Sequence, residues 1–153
     1  MKSLINLQCK QEIRVRLAKI RPDSQRRWGR MTASQMICHL DDCFLGVMGD
    51  RPMEIPRGLS LGPVIKWVAL YAPMQWPQGA TTRPEFDQIL GGGTPPTQFD
   101  VNVRQLLDSM EKFTIQPRTF QLRLHPIFKS MSERDWMRWG YLHMDHHLRQ
   151  FGE

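Results

Sequence analysis

The segment SERDWMRWGYLHMDHHLRQF, residues 132–151, contains the clearest helix signals in this chain. Ser132 is followed three residues later by Asp135, a spacing that caps a helix because each side chain can satisfy a free backbone N–H at the N-terminus. Beyond the cap, steps of about 100° per residue place five side chains on one stripe: Trp136, Trp139, His143, His147 and Gln150. A stripe with two tryptophans is expected to face a core, so the segment predicts a buried last helix that ends near Phe151.

Two histidines of this stripe have the spacing of a metal-binding pair. His143 and His147 stand four residues apart, so their imidazoles lie one turn apart on the same helix face. Imidazoles buried beside tryptophans need polar partners, because an unpartnered buried polar group is costly. A shared metal ion would satisfy both, and the alternative is a pair of ordinary surface or core histidines. His146 lies about 60° away from His143 around the helix and is less well aimed.

A second capping signal opens another helix. Thr32 precedes Gln35 by three residues, which is again the spacing of a capping box. The predicted helix runs to about Met48, where the sequence Gly49-Asp50-Arg51-Pro52 stops it. One stripe of this helix is small, polar or metal-compatible, which is unusual in a helix bundle: Gln35, Met36, His39, Asp42, Cys43 and Gly46.

His39 is the natural third ligand for an ion held by His143 and His147. The helices that carry these residues can lie side by side in a bundle. Three neutral imidazoles would leave positions open on the metal, which is typical of catalytic rather than structural sites. Imidazole suits zinc, nickel, copper and iron, so the residues alone do not choose the metal.

Further side chains around this site are candidates for chemistry. Asp42 and Gln150 are the candidate catalytic residues; Asp42 could orient an imidazole N–H or act as a general base, and the alternative is a solvated carboxylate. Cys43 lies one turn from the histidine of its helix, but a lone buried cysteine usually packs as a small hydrophobe, and packing is the favoured interpretation. His125 precedes Pro126 in a loop, where packing is favoured over a place at the pocket mouth.

Apolar spacing predicts two more helices. The first begins at Leu4 or Gln11 and ends at Ile20, and the other runs from near Thr97 to about Phe113. Thr119–Leu124 is the only candidate for a strand. The sequence therefore predicts a single all-α domain over residues 1–153, with four principal helices.

A long irregular crossover separates the second and third of these helices. Residues from about 50 to 97 are interrupted by proline and glycine, which break helices and strands. Only Val64–Tyr71 has the spacing of a short helix. A long connection lets the helices that it joins run parallel, so the pattern predicts a four-helix bundle with an overhead crossover. Four aromatic residues are expected to cap one end of the bundle, near the metal or at a subunit interface: Trp67, Tyr71, Trp76 and Phe86.

Composition excludes several classes of protein. The chain has 153 residues, of which 41% are hydrophobic and 24% charged, which is ordinary globular usage and excludes a disordered chain, a collagen-like repeat and a long coiled coil. The formal net charge of +6 favours anionic partners such as nucleic acid, acidic lipid or a small carboxylate or phosphate. No helix-turn-helix signature, zinc finger or basic helix stripe is present, so no specific nucleic-acid partner is expected.

Cysteine content and hydropathy predict a cytoplasmic protein with no membrane partner. The chain has only three cysteines, and a small, odd number does not suggest a disulfide scaffold, so we expect reduced thiols. The apolar stretch Leu4–Leu7 is too short for a signal peptide. The most apolar window, Leu61–Met74, is interrupted by Lys66 and is shorter than a membrane span.

The segments WGRMT (28–32), ICHL (37–40) and HMDHHLRQFG (143–152) resemble the DinB-like (DinB/YfiT) superfamily, and more narrowly a bacterial branch of it with no known function. The last of them is the most specific. Shorter segments that resemble the same branch are Trp76-Pro77, Thr82-Arg83-Pro84, Gly93-Thr94-Pro95-Pro96 and His125-Pro126. The resemblance covers nearly the whole chain.

The resemblance implies a four-helix bundle in up-down-down-up order that binds a divalent metal, most often nickel or zinc. The ligands it implies here are His39, His143 and His147. Some members of the superfamily are transferases or isomerases that use low-molecular-weight thiols such as bacillithiol, mycothiol or glutathione. The implied function is a metal-dependent thiol S-transferase that acts on small molecules, with an anionic thiol as partner. A metal-dependent hydrolase and a non-catalytic metal-binding protein are the alternatives, and relatives imply a homodimer.

Overall fold

A computed structural model describes residues 1–55, 62–79 and 82–153. Within these ranges the chain forms five α-helices, namely α1 (Leu7–Leu17), α2 (Ala33–Met48), α3 (Gly62–Tyr71), α4 (Phe99–Thr114) and α5 (Glu133–Gln150). A 3-10 turn, Pro84–Phe86, lies between α3 and α4. No strand occurs in the described ranges, which confirms the all-α class. Residues 56–61 and 80–81 of the predicted crossover lie outside the described residues.

Thr119–Leu124, the only candidate for a strand in the sequence, does not form one. The stretch is irregular, and within it the Arg123 N–H donates to the carbonyl of Val47 on α2 at 2.9 Å. A strand needs a neighbouring extended segment to form its ladder. The structure instead closes the next turn with a single bridge between His125 and Lys129.

Local signals explain where the two long helices that carry the histidines begin and end. Thr32 and Gln35 form the predicted capping box at the start of α2, and Ser132 and Asp135 form the predicted one at the start of α5. α2 ends at Gly49, whose φ of 89° is a left-handed conformation that glycine adopts without strain. These three predictions are confirmed, whereas α1 ends at Leu17, short of the predicted Ile20.

The core lies where α2, α4 and α5 meet. α2 packs against α4 and α5, while α1 and α3 pack against α5. Phe44 of α2 and Phe113 of α4 have ring centroids 5.0 Å apart, and both contact the ring of Trp139 on α5. Gly140 permits this approach, because a Cβ there would lie 2.8 Å from a methyl group of Leu4 and 3.0 Å from the Phe113 ring. α5 therefore occupies the centre of the molecule with its histidine stripe turned inward.

Cys9, Cys38 and Cys43 are all free. None of the described helices is both long and apolar enough to cross a membrane.

Candidate metal centre

α2 and α5 bring the three predicted metal-ligating histidines together. The ring centroid of His39 lies 5.4 Å from that of His143 and 4.8 Å from that of His147, and the latter two are 5.0 Å apart. The exposed fractions of the three residues are 4, 9 and 8%. The spacing within α5 places two of these rings on one face, and the packing of α2 against α5 supplies the third. We call these three residues the histidine cluster.

Burial keeps the histidine cluster neutral. It lowers the pKa of His39, and it lowers the pKa values of His143 and His147 well below the ordinary value. The neighbouring imidazoles add to the effect for His143 and His147, since each disfavours a second positive charge beside it. Only a neutral imidazole offers a lone pair to a metal ion. The cluster therefore presents three side chains in the protonation state that metal binding needs.

Hydrogen bonds select the tautomer of two of these rings. His39 Nδ1 lies 3.1 Å from the carbonyl oxygen of Phe86, and His147 Nδ1 lies 3.0 Å from Gln150 Oε1. The Gln150 amide is oriented in turn, because its Nε2 donates to the Trp28 carbonyl at 2.9 Å. Carbonyl oxygens only accept, so both Nδ1 atoms must donate. The Nε2 lone pair of His147 is left for another partner, as in metal sites whose ligands are anchored through their second nitrogen. That of His39 faces the Cys43 thiol, whose Sγ lies 3.7 Å away.

His143 lacks such an anchor. Its Nδ1 atom is buried, and no hydrogen-bond partner reaches it within the described ranges. A buried polar atom without a partner costs about 1–3 kcal/mol. An ion coordinated by Nδ1 would remove this cost, so the unsatisfied nitrogen is compatible with a metal site; the Nδ1 of His146 is buried without a partner in the same way.

Cys43 also belongs to this cluster of donors. Its Sγ lies 3.7 Å from His39 Nε2, and ligand atoms of His39, Cys43 and His143 all lie within 4.8 Å of one another, so this group could hold a metal ion. Distances between ring centroids therefore indicate His147 as the third ligand beside His39 and His143, whereas distances between ligand atoms indicate Cys43. Burial raises the pKa of the Cys43 thiol well above its ordinary value, so the free side chain is protonated. Sequence reasoning favoured packing for Cys43, although its spacing from His39 was a signal for a ligand.

Asp42 is engaged by the crossover rather than by the histidines. Its carboxylate is fully buried, and it accepts from the Thr94 N–H at 2.8 Å, the Thr94 hydroxyl at 2.6 Å and the Gln88 amide at 3.1 Å. Arg51 forms an ion pair with it at 3.1 Å. A solvated carboxylate is therefore wrong, and no hydrogen bond joins Asp42 to an imidazole in the part of the chain described. Its position suits a structural tie between α2 and the crossover.

Two further histidines flank the cluster. His146 is 8% exposed, and its ring centroid lies 5.2 Å from that of His147 and about 6 Å from those of Trp28 and Trp76. His125 lies further away, where its Nδ1 accepts from the backbone N–H groups of residues 127 and 128 at 3.1 Å and its ring stacks on Phe128. These contacts show packing of its loop, the favoured interpretation, and His125 also lines the cavity that contains the histidine cluster, which was the alternative.

Two cavities meet at the α5 histidines. The larger, which we call the apolar chamber, has a volume of about 630 Å³ and is bounded by α2, α3, α5, crossover residues 74–77 and 82–86, and the turn at residues 125–128. The smaller, which we call the polar pocket, has a volume of about 360 Å³ and lies beside Trp28, Arg30 and Gln150. His146 and His147 line both. A molecule in either cavity would reach the histidines.

The four aromatic residues of the predicted cap take different positions. Trp76 and Phe86 line the apolar chamber, as expected for a cap near the metal. The Tyr71 hydroxyl instead donates to Asp135 at the start of α5, at 2.5 Å. Trp67 is 62% exposed and does not line the chamber, so a place near the metal is wrong for this residue, because its side of α3 turns away from the cavity.

Comparison with known proteins identifies a family. The family model described as "Protein of unknown function (DUF1569)" matches residues 3–153. Neither the curated proteins nor the solved structures contain a match to this chain.

Proposed function

We propose that this chain, which belongs to the family described as protein of unknown function (DUF1569), is a divalent-metal-dependent enzyme that acts on small molecules. The observation that carries the proposal is the histidine cluster: three buried, neutral imidazoles from two helices, with centroids no more than 5.4 Å apart. His39, His143 and His147 would hold the ion. Nickel or zinc is the expected metal, an expectation that rests on the DinB-like resemblance.

The protein's own side chains would prepare this site for catalysis. The Phe86 carbonyl orients His39, and Gln150 orients His147, so two ligands are fixed before an ion arrives. Gln150 is thus proposed as a positioning residue. A bound divalent ion supplies Lewis acidity, which favours thiolate over thiol, or hydroxide over water, at neutral pH.

Thiol S-transfer is the reaction that we propose first. The net charge of +6 favours the approach of an anionic low-molecular-weight thiol. The polar pocket carries Arg30, which is only loosely paired with Asp87 at 3.6 Å and is 69% exposed in its side chain. The thiol would therefore enter through the polar pocket and reach the cluster at His147. Hydrolysis and metal binding without catalysis are the alternatives that the experiment must separate.

The finer architecture is also part of the proposal. We propose that α1, α2, α4 and α5 form a four-helix bundle in up-down-down-up order, with residues 49–98 as the overhead crossover. The packing of α2 on α4 and of α1 on α5 supports this arrangement. A homodimer in a bacterial cytoplasm is proposed on the resemblance to the DinB-like superfamily.

Metal content of tag-free protein tests the site. We expect about one equivalent of nickel or zinc by mass spectrometry, lost in the variants His39→Ala, His143→Ala and His147→Ala. His146→Phe is the matched control, because it alters the adjacent histidine of α5 and keeps an aromatic ring beside Trp28 and Trp76. No metal after reconstitution with several divalent ions, or equal loss in the control, would contradict the three-histidine site.

Activity assays separate the reactions. The metal-loaded protein should conjugate bacillithiol or glutathione to monochlorobimane faster than the His143→Ala variant does. A rate equal to that of the variant, together with hydrolysis of ester substrates, would favour the hydrolase. Neither activity, with one metal bound, would favour a non-catalytic metal-binding protein.

Cobalt substitution decides between the two third partners. With three imidazole ligands, the cobalt-loaded protein should lack a sulfur-to-cobalt charge-transfer band, and Cys43→Ala should leave its spectrum unchanged. A band that disappears in Cys43→Ala would show that the thiol is a ligand.

A further inference from the structure

We infer that the apolar chamber binds the uncharged, apolar body of a small molecule and holds it against the histidine cluster. The inference names a substrate class for the proposed enzyme. The occupant's role as a substrate rests on the proposed function, but its binding does not, because the chamber can be tested for binding without metal.

The walls of the apolar chamber are made of hydrophobic side chains that the protein leaves open. α3 contributes Val64, Ile65 and Val68, which are 64, 43 and 40% exposed. Across the chamber stand Val47 of α2 and Trp139 of α5. Contiguous exposed apolar surface of this kind marks a binding site in a protein that is otherwise well packed. Its volume of about 630 Å³ is within the range of about 300–1,000 Å³ for small-molecule sites.

The charges around the chamber indicate an uncharged occupant. Among the described residues that line it, Arg83 is the only one with a formally charged side chain. The Arg83 guanidinium is already paired, since its Nε donates to Glu85 at 2.7 Å. Without an ion in the histidine cluster, an ionised ligand would lose its hydration there without gaining a counter-ion, which is costly. The polar pocket differs, because Arg30 and Asp87 both line it.

The position of the histidines favours a small molecule over a second protein chain. His39, His143 and His147 all line the chamber, so an occupant lies against the polar groups that could act on it. Small-molecule sites combine mostly apolar walls with a few converging polar groups in this way. The chamber is also concave and bounded by α2, α3 and α5, whereas the face of α3 that carries the exposed Trp67 lies outside it.

A matched pair of fluorescent probes tests the inference on the full chain. N-phenyl-1-naphthylamine is uncharged, and 1-anilinonaphthalene-8-sulfonate has the same rings with one sulfonate. In protein treated with a chelator, we expect the uncharged probe to bind one site per chain, at least tenfold more tightly than the anionic probe. Failure of the metal proposal would leave this result unchanged, so the two failures are distinguishable.

Two chamber variants and two controls locate the site. Val68→Trp would fill the chamber and Val64→Asp would place a charge in its wall, and each should weaken the uncharged probe at least tenfold. Val15→Trp and Val15→Asp introduce the same side chains at a valine of α1 that is 51% exposed and lies outside both cavities. They should leave binding unchanged. Circular dichroism identifies a variant that fails to fold, in which case the other variant decides.

Four results would overturn the inference. The uncharged probe could fail to bind, or it could bind equally well to folded Val68→Trp and Val64→Asp. The anionic probe could bind more tightly, which would assign the chamber to an anion near Arg83. Sedimentation could also show a dimer that Val64→Asp dissociates and that excludes the probe, which would make the exposed face of α3 an interface between two copies of this chain.

Discussion

At the scale of single residues, Gln150 has the most specific task. Its amide links the Trp28 carbonyl to His147 Nδ1, so the backbone before α2 sets the tautomer of a histidine on α5. The direction of these two hydrogen bonds is fixed, because a carbonyl can only accept and the amide N–H₂ can only donate. Loss of this link would free His147 to rotate and to exchange tautomers.

We predict that Gln150→Leu weakens zinc binding about 10- to 100-fold, the usual effect of removing the hydrogen-bond partner of a metal-bound histidine. Gln150→Glu should retain most of the affinity, because a carboxylate still accepts from His147 Nδ1. Competition with a chromophoric chelator measures both. Equal affinities for Gln150→Leu and the wild type would show that the amide does not position His147.

His125 gives a prediction about pH. Burial, with a smaller contribution from the charge of Arg83, lowers the pKa of His125 to about 3, whereas an unfolded histidine titrates near 6.5. Between these values the unfolded chain binds a proton that the folded chain does not. The free energy of unfolding therefore falls as the pH drops below about 6.5, by up to about 1.4 kcal/mol per pH unit from this residue.

His125→Asn isolates that contribution. The Asn oxygen can accept from the same two backbone N–H groups, at residues 127 and 128, and the side chain does not titrate. Urea unfolding of chelator-treated protein, at pH values from about 7 to 4, should show a shallower decline for the variant than for the wild type. Identical declines would mean that His125 is protonated in the folded protein.

At the scale of elements, one face of α2 joins the crossover to the histidine cluster. Gly46 leaves space for the Phe86 ring, since a Cβ there would lie 2.6 Å from the ring. The Phe86 carbonyl then reaches His39, and Asp42 binds residues 88 and 94 of the same segment. The contacts of α2 with the crossover thus explain its small and polar stripe, in addition to the proposed metal chemistry.

We predict that Asp42→Asn destabilises the protein by about 3 kcal/mol. The substitution breaks a buried ion pair with Arg51 and removes a carboxylate that accepts several hydrogen bonds. Asp50→Asn is the control: its partner Lys112 and its own side chain are 49 and 39% exposed, so the loss should be below about 1 kcal/mol. Denaturation in urea compares the two. Equal losses would mean that the crossover is not held through Asp42.

At the scale of the whole molecule, the histidine cluster connects α2 to α5 at the point where the apolar chamber and the polar pocket meet. A ligand that binds only the folded chain stabilises it by about 2.7 kcal/mol at a concentration 100 times its Kd. An ion in the cluster would therefore act on global stability as well as on chemistry.

We predict that saturating zinc raises the Tm by roughly 5–10 °C for a chain of this length. The same addition should leave the Tm of His39→Ala and His143→Ala unchanged, while His146→Phe should respond like the wild type. Differential scanning calorimetry of tag-free protein, with and without chelator, provides the measurement. A wild-type Tm that is indifferent to metal would contradict an ion shared between α2 and α5.

Local rules accounted for much of this molecule. Interactions within a few residues of each other determine the caps at Thr32 and Ser132, the stop at Gly49 and the buried stripe of α5. These features can therefore be predicted from the sequence. The grouping of His39 with His143 needed one further assumption, that α2 and α5 are neighbours. The candidate strand at Thr119–Leu124, which does not form, shows where local rules end, since a ladder depends on a segment elsewhere in the chain.

Contacts between distant segments decided the remainder. The Trp28 carbonyl that orients Gln150, the Thr94 backbone that binds Asp42 and the position of Cys43 beside His39 and His143 all depend on how the crossover and the helices pack. The same holds for the apolar chamber, whose walls come from three helices, the crossover and the turn at residues 125–128. Periodicity reports which side of a helix is buried but not what it is buried against, and the partner determines whether a buried polar group serves chemistry or architecture.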